Sequence, residues 1–193
     1  YWINSLIFVT SKLIKLKKII MSRNKQVNTI LKEHGLDFTI EKLPLIANSG
    51  GNVVETPYFG LFNSKTNECI NTCKEGYTVS QNAEIIDLTL QGMEKFGDKL
   101  TVSKAASLNG GRLVMVQLAI EGSSKVGDDI IKKYVTLIDS NDGSTGLSVG
   151  IGDLTMSCLN QYFKFYKRGK AKFRHTATLE QKIKTIPYLI ETA

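Results

Sequence analysis

The sequence predicts an α+β fold: a curved antiparallel sheet of hairpins packed against helices, with a long basic helix near the C-terminus. Three stretches carry that prediction. Asn109-Gly110-Gly111 separates two apolar runs, 100–108 and 112–120, and Asn-Gly supplies the positive φ angles that a tight hairpin demands. Asp142-Gly143 does the same between runs 130–139 and 145–151. Four successive antiparallel strands then lead to Gly152, and from Asp153, placed to cap a helix, the spacing changes. Leu159, Tyr162, Phe163 and Tyr166 recur at i, i+3, i+4 and i+7, while Ser157, Asn160, Lys164, Lys167 and Arg168 share another face.

Taken in order, residues 1–20 are read as upstream sequence ahead of a start at Met21, or as part of a fragment. Their apolar run, Leu6 to Val9, is far shorter than the ~20 residues of a membrane span, and the lysines follow it where a signal peptide puts them first. The rival reading is a basic amphipathic helix on a membrane surface, with Leu6, Val9, Leu13, Leu16 and Ile20 in register. Residues 21–56 form an N-terminal segment. Within it Val27, Ile30 and Leu31 mark a short helix ending at Gly35, and Asn48-Ser49-Gly50-Gly51-Asn52 reads as a loop. A single α+β domain spans 57–187, and 188–193 form a tail. In that domain, 58–63 and 68–73 are strands across a Ser64–Asn67 turn. Ser80 is the expected N-cap of a helix over 83–96, with Ile86, Leu90 and Met93 inward and Gly97 as its stop. Val114, Val116, Leu118 and Ile120 alternate to one side of the sheet. Beyond the basic helix, 170–175 is a short basic stretch, and 178–184 is a last helix before Pro187.

The composition, 42% hydrophobic over 193 residues, is enough to bury a real core. The net charge of +7 is unevenly spread. Between 161 and 184 stand Lys164, Lys167, Arg168, Lys170, Lys172, Arg174, Lys182 and Lys184 against Glu180 alone. Residues 1–20 add Lys12, Lys15, Lys17 and Lys18, and the rest of the chain is net acidic. A basic segment concentrated in this way points to a polyanion. The bland alternative is a solvated lysine-rich face.

Little else announces chemistry. Cys69, Cys73 and Cys158 have no zinc spacing and read as reduced, mostly buried thiols, and His34 and His175 are too few for a His-rich metal site. No metal, cofactor or disulfide is expected. Gly143-Ser144-Thr145-Gly146 lacks the lysine and the strand–loop–helix setting of a phosphate loop. Asp128 and Asp129 are neighbours in a loop and read as solvated, and Asp142 is placed to bond its own backbone. Cys158 and His175 could pair as nucleophile and base, with Asn160 as orienter and Arg174 holding an acidic small molecule. Nothing in the spacing favours that pair, and a small thiol in mid-helix is an ordinary buried occupant. No catalytic residue is assigned.

The basic segment differs because charge and aromatic rings are interleaved. Lysines and arginines neutralise phosphates and gain from counterion release, and Phe165 or Phe173 could stack on unpaired bases. This profile suits single-stranded DNA held in a groove, bound through Asn160, Lys164, Lys167, Arg168, Lys170, Lys172, Arg174 and His175, with Lys132 and Lys133 in second rank. The third alternative is a non-catalytic structural or interaction protein whose charge is incidental.

The order Tyr77-Thr78-Val79-Ser80-Gln81-Asn82-Ala83-Glu84, Asp142-Gly143-Ser144, Ser157-Cys158-Leu159-Asn160 and Arg174-His175-Thr176 resembles the phage- and plasmid-related proteins classed as domain of unknown function 932. The resemblance covers residues 55–187. The sequence departs from it at Met156-Ser157, before the cysteine, and in the shortness of the segment from Asn160 to Arg174. Its order of elements is similar to the core of single-strand annealing recombination mediators. That similarity implies a homo-oligomer, in the form of a ring, that holds single-stranded DNA and pairs it with a complement without a cofactor. With its thiols reduced, the protein is expected in the cytoplasm, that of the host cell if phage-encoded, with no membrane partner if residues 1–20 are not native.

Overall fold

The computed structural model describes residues 17, 20–96, 100–121, 124–126, 129–153, 160–161, 165 and 171–191. Helix α1 covers 20–33 and buries Val27 and Leu31 on one face, as their spacing predicts. It ends at Gly35, whose φ of 65° is a left-handed stop that glycine adopts at no steric cost. Leu36 and Phe38 follow directly into the core.

The segment expected to be a loop is instead the tip of a long hairpin. Strand β1 (Ile40–Ser49) pairs antiparallel with β2 (Asn52–Asn63), and Ser49 faces Asn52 across a two-residue Gly50-Gly51 turn. Both glycines have positive φ, as such a turn requires. Strand β2 therefore begins well before Tyr58. Its first half hid in the sequence for a physical reason. Pro44 and Pro57 interrupt the two strands, a register shift lies between Pro44 and Ile46, and Ile46, Val53 and Val54 at the tip are exposed. No buried face imposes an alternation there. Strand β3 (Cys69–Lys74) then pairs with the inner half of β2 across the expected turn, completing a sheet ordered β1-β2-β3.

Helix α2 (Asn82–Phe96) buries Ile85, Ile86, Leu88 and Leu90. Its start differs from the expectation. Ser80 is not the cap but turns inward to Asp139, while the Asn82 amide donates to the carbonyls of Leu36 and Phe38 at 3.0 and 3.2 Å.

The larger sheet has the order β10-β9-β8-β5-β4, antiparallel throughout. Strands β4 (Leu100–Leu108) and β5 (Leu113–Ile120) form the hairpin expected around Asn109-Gly110-Gly111, all three at positive φ. The next hairpin is shorter than expected. Ile130 belongs to a separate two-stranded ribbon, β6 (Ser124–Val126) with β7 (Asp129–Ile131), and only β8 (Tyr134–Ser140) pairs with β9 (Leu147–Gly152). The basic stretch after the predicted helix is a strand, β10 (Ala171–Phe173), added to the free edge of β9.

Both faces of this sheet are covered. Val114, Val116, Leu118, Val135, Leu137, Leu147 and Val149 point into the main core, where α1, α2 and the last helices meet them. On the other face Leu113, Met115 and Ile138 pack with Phe165. Helical residues therefore lie on both faces. Of the predicted basic helix, Asn160, Gln161 and Phe165 are helical, and 154–159, 162–164 and 166–170 lie outside the described residues. Helices α3 (Leu179–Ile183) and α4 (Ile186–Glu191) close the chain. Pro187 sits inside α4, at its first turn, where a missing N–H costs nothing. Ile190 is fully buried against Gly92 of α2, so the last turn is part of the core. No helix among the described residues is long and apolar enough to cross a membrane.

Candidate functional site

Three distant segments meet at one end of the large sheet: the approach to α2, the turn after β8, and the exit from β10. They bound an open cleft of about 330 Å3 lined by Tyr77, the Gly143–Gly146 turn, Arg174 and His175.

The floor is a buried polar cluster. The Asp139 carboxylate, on the core side of β8, accepts from His175 Nε2 at 2.9 Å and from the Ser80 hydroxyl through its other oxygen. His175 Nδ1 lies 3.0 Å from the Thr78 carbonyl, and the Thr78 N–H donates to the His175 carbonyl at 3.4 Å. Both ring nitrogens face acceptor oxygens, so the ring satisfies both only as an imidazolium. Burial, the largest single effect, pushes its pKa down, but the Asp139 bond and charge together with the Thr78 carbonyl outweigh it, and the net shift is upward. Tyr77 stacks on this ring, centroids 4.9 Å apart and planes within 5°, and its hydroxyl donates to the Ser140 carbonyl at 3.4 Å. Burial and the nearby Asp139 charge hold the Tyr77 phenol well above its usual range, so it stays a donor.

The turn is stitched from within. Ser140 Oγ donates to the Thr145 carbonyl at 2.6 Å and accepts from the Thr145 N–H at 3.0 Å, and the Ser144 N–H donates to Asp142 Oδ1 at 2.9 Å, the backbone bond expected of Asp142. Asn141 ties the turn to the β4–β5 corner, its N–H to the Arg112 carbonyl at 2.7 Å and its amide to the Gly111 carbonyl at 3.1 Å. Gly146 lies so close to the Phe173 carbonyl that a side chain there would collide with β10.

Several predicted residues fall here. Arg174 is exposed at the rim, and Lys172 is exposed on the outer face of β10. His175 is beneath the surface, its side chain 4% exposed, so it supports the cleft from below rather than reaching a ligand directly. Asn160 is exposed on its helix. Lys164, Lys167, Arg168, Lys170 and Cys158 lie outside the described residues. Lys132 and Lys133 are exposed but precede the far end of β8, about 20 Å along the strand from Asp139. Phe173 is half-buried against the core and Phe165 half-buried against the second face, so neither presents a bare ring. Both His175 ring nitrogens are engaged, Nδ1 by the Thr78 carbonyl and Nε2 by Asp139.

Asp139 and Ser80 were missed by sequence reading. Asp139 ends an apolar strand beside a turn, where an aspartate is ordinary, and Ser80 looked like a cap. The one available signal was that Tyr77, Thr78, Ser80 and His175 all stood in the motifs shared with the resembled family. The profile of the family described as domain of unknown function (DUF932) matches residues 70–193. That span holds every residue of the cleft and its floor. No curated protein and no solved structure matches the chain.

Proposed function

The chain belongs to the DUF932 family, and because that description names no activity we propose from its surface that it binds single-stranded nucleic acid, as a DNA-binding protein of the strand-annealing kind. One observation carries the reading. On β10 the alternation of a strand turns Phe173 into the core and leaves Lys172 facing out, and Arg174 follows at the rim of the cleft. The half-buried ring thus anchors two cations on a rigid sheet edge. Lys and Arg held in this way match the spaced charges of a phosphate backbone, and nothing in their setting reads a base sequence. Asn160, an amide donor, is a further contact, and Lys132 with Lys133 marks where a strand of several nucleotides would leave the sheet. The cations at 164–170 belong to the same proposal.

Fluorescence anisotropy of a labelled single-stranded oligonucleotide, at two salt concentrations, tests it. Micromolar or tighter binding that weakens steeply with salt is the expected result, and no binding at low salt overturns it. Pairing of complementary strands is a separate step, assayed by the rate at which the protein anneals two labelled oligonucleotides.

A further inference from the structure

We propose that the cleft is a seat for one nucleotide, its phosphate held by the Arg174 guanidinium and the Ser144 hydroxyl. This deepens the single-strand reading by naming the unit of the strand that the protein grips. Size argues first. About 330 Å3 is the lower end of the range for small-molecule pockets. That is room for a group the size of one nucleotide.

Charge argues next. Three arginines fall among the described residues. Arg23 lies against Asp87 and Glu94, and Arg112 against Glu68. Arg174 is exposed and meets no carboxylate among the described residues. A guanidinium left open at a rim presents a fork of donors matched to a phosphate. Two acids nearby are already engaged. Asp139 is occupied by the His175 imidazolium and the Ser80 hydroxyl, and Asp142 accepts the Ser144 N–H. That last bond holds the turn, and the exposed Ser144 lines the cleft.

Shape argues third. Tyr77, backed by the His175 ring, lines the cleft with an aromatic surface on which a base or sugar can lie. Gly146 lets the Phe173 carbonyl come within contact of the turn, and this close approach brings Arg174 and the Ser144 turn to one opening. The seat is built before any ligand arrives, which lowers the ordering cost of binding.

The test uses the full chain and NMR of the Gly143, Ser144, Thr145 and Gly146 amides, titrated with deoxyadenosine monophosphate, with deoxyadenosine and with inorganic phosphate. The monophosphate should shift these amides saturably, inorganic phosphate should shift the same amides more weakly, and deoxyadenosine should bind at least about tenfold more weakly than the monophosphate. Arg174→Ala should weaken the monophosphate by about tenfold or more, with Arg174→Lys between the two. Amides remote from the cleft report that the variants remain folded. If the monophosphate leaves the turn unmoved, or binds Arg174→Ala as well as the parent, or no better than deoxyadenosine, the seat does not exist, even where an oligonucleotide binds elsewhere. If the monophosphate binds and the oligonucleotide does not at low salt, the strand reading fails and the cleft stands as a mononucleotide site.

Discussion

The carboxylate of Asp139 and the imidazole of His175 meet at 2.9 Å with their side chains only 3% and 4% exposed, joining positions 36 residues apart in the chain. One partner ends a central strand, and the other follows the short edge strand that carries the exposed cations. A buried pair of this kind is costly to break from one side, because the partner left behind is a charge without compensation.

Asp139→Asn should therefore cost about 3 kcal/mol of unfolding free energy, and His175→Ala a similar amount. Replacing both together, Asp139→Asn with His175→Ala, should cost less than the sum of the single losses. Urea denaturation of the single and double variants checks this. Additive losses would mean that the two groups do not act as a unit.

The same pair gives stability a pH dependence whose sign follows from His175. Its pKa is raised in the folded protein, so folding takes up a proton there. The contribution is fully present below the unfolded value of about 6.5 and is lost as pH rises through the folded value above it. The urea midpoint should fall between neutral and mildly alkaline pH. In His175→Gln that fall should be reduced, and an unchanged slope would count against the imidazolium.

Gly146→Ala should destabilise although the change is a single methyl group. The added carbon meets the Phe173 carbonyl oxygen, which is backbone and cannot swing aside. Displacing β10 should cost about 1–3 kcal/mol, the usual range for overpacking. It should also weaken oligonucleotide binding, because Arg174 moves with the strand. Equal binding by the folded variant would separate β10 from the contact surface.

Gly92→Ala sets two effects against each other. Alanine is the better helix former by about 1 kcal/mol. Its methyl, however, would lie 2.7 Å from Ile190 Cδ1 and 2.8 Å from Ile190 Cβ. The Cβ belongs to the rigid stem of the side chain, so α4 must move. Thermal melting should show a net loss of about 1 kcal/mol or more, and a higher melting temperature would mean that α4 yields easily.

For the surface, Lys172→Ala with Arg174→Ala should reduce the slope of log affinity against log salt by about 0.7 for each phosphate contact removed from a single strand. Anisotropy across a salt series measures it. A parallel shift with unchanged slope would exclude direct phosphate contacts by these two residues.

How much of this was legible beforehand depended on burial. The β4–β5 and β8–β9 hairpins stood out because Asn109-Gly110 and Asp142-Gly143 turn chains whose apolar residues face a core. Strand β1 and the first half of β2 did not, since the tip of their hairpin is exposed on both sides and proline interrupts each strand. Strand β10 is three residues long, too short to show an alternation, and its lysine and flanking arginine stood out only as a short basic stretch. At the site, Arg174 was visible as charge. Asp139 was invisible because what makes it matter, a histidine from another strand exit, exists only after folding.

The sheet's construction divides the molecule by how readily its parts come undone. Strand β8 has a hydrogen-bonded neighbour on each side, and every one of its residues is buried. Its amides can trade hydrogen for deuterium only when the whole domain opens. The outer part of the β1–β2 hairpin lacks β3 beside it and exposes its side chains, so it opens on its own at little cost. Among the described residues, a protease given the native protein would clip near Gly50 first and leave the Asp139 cluster standing.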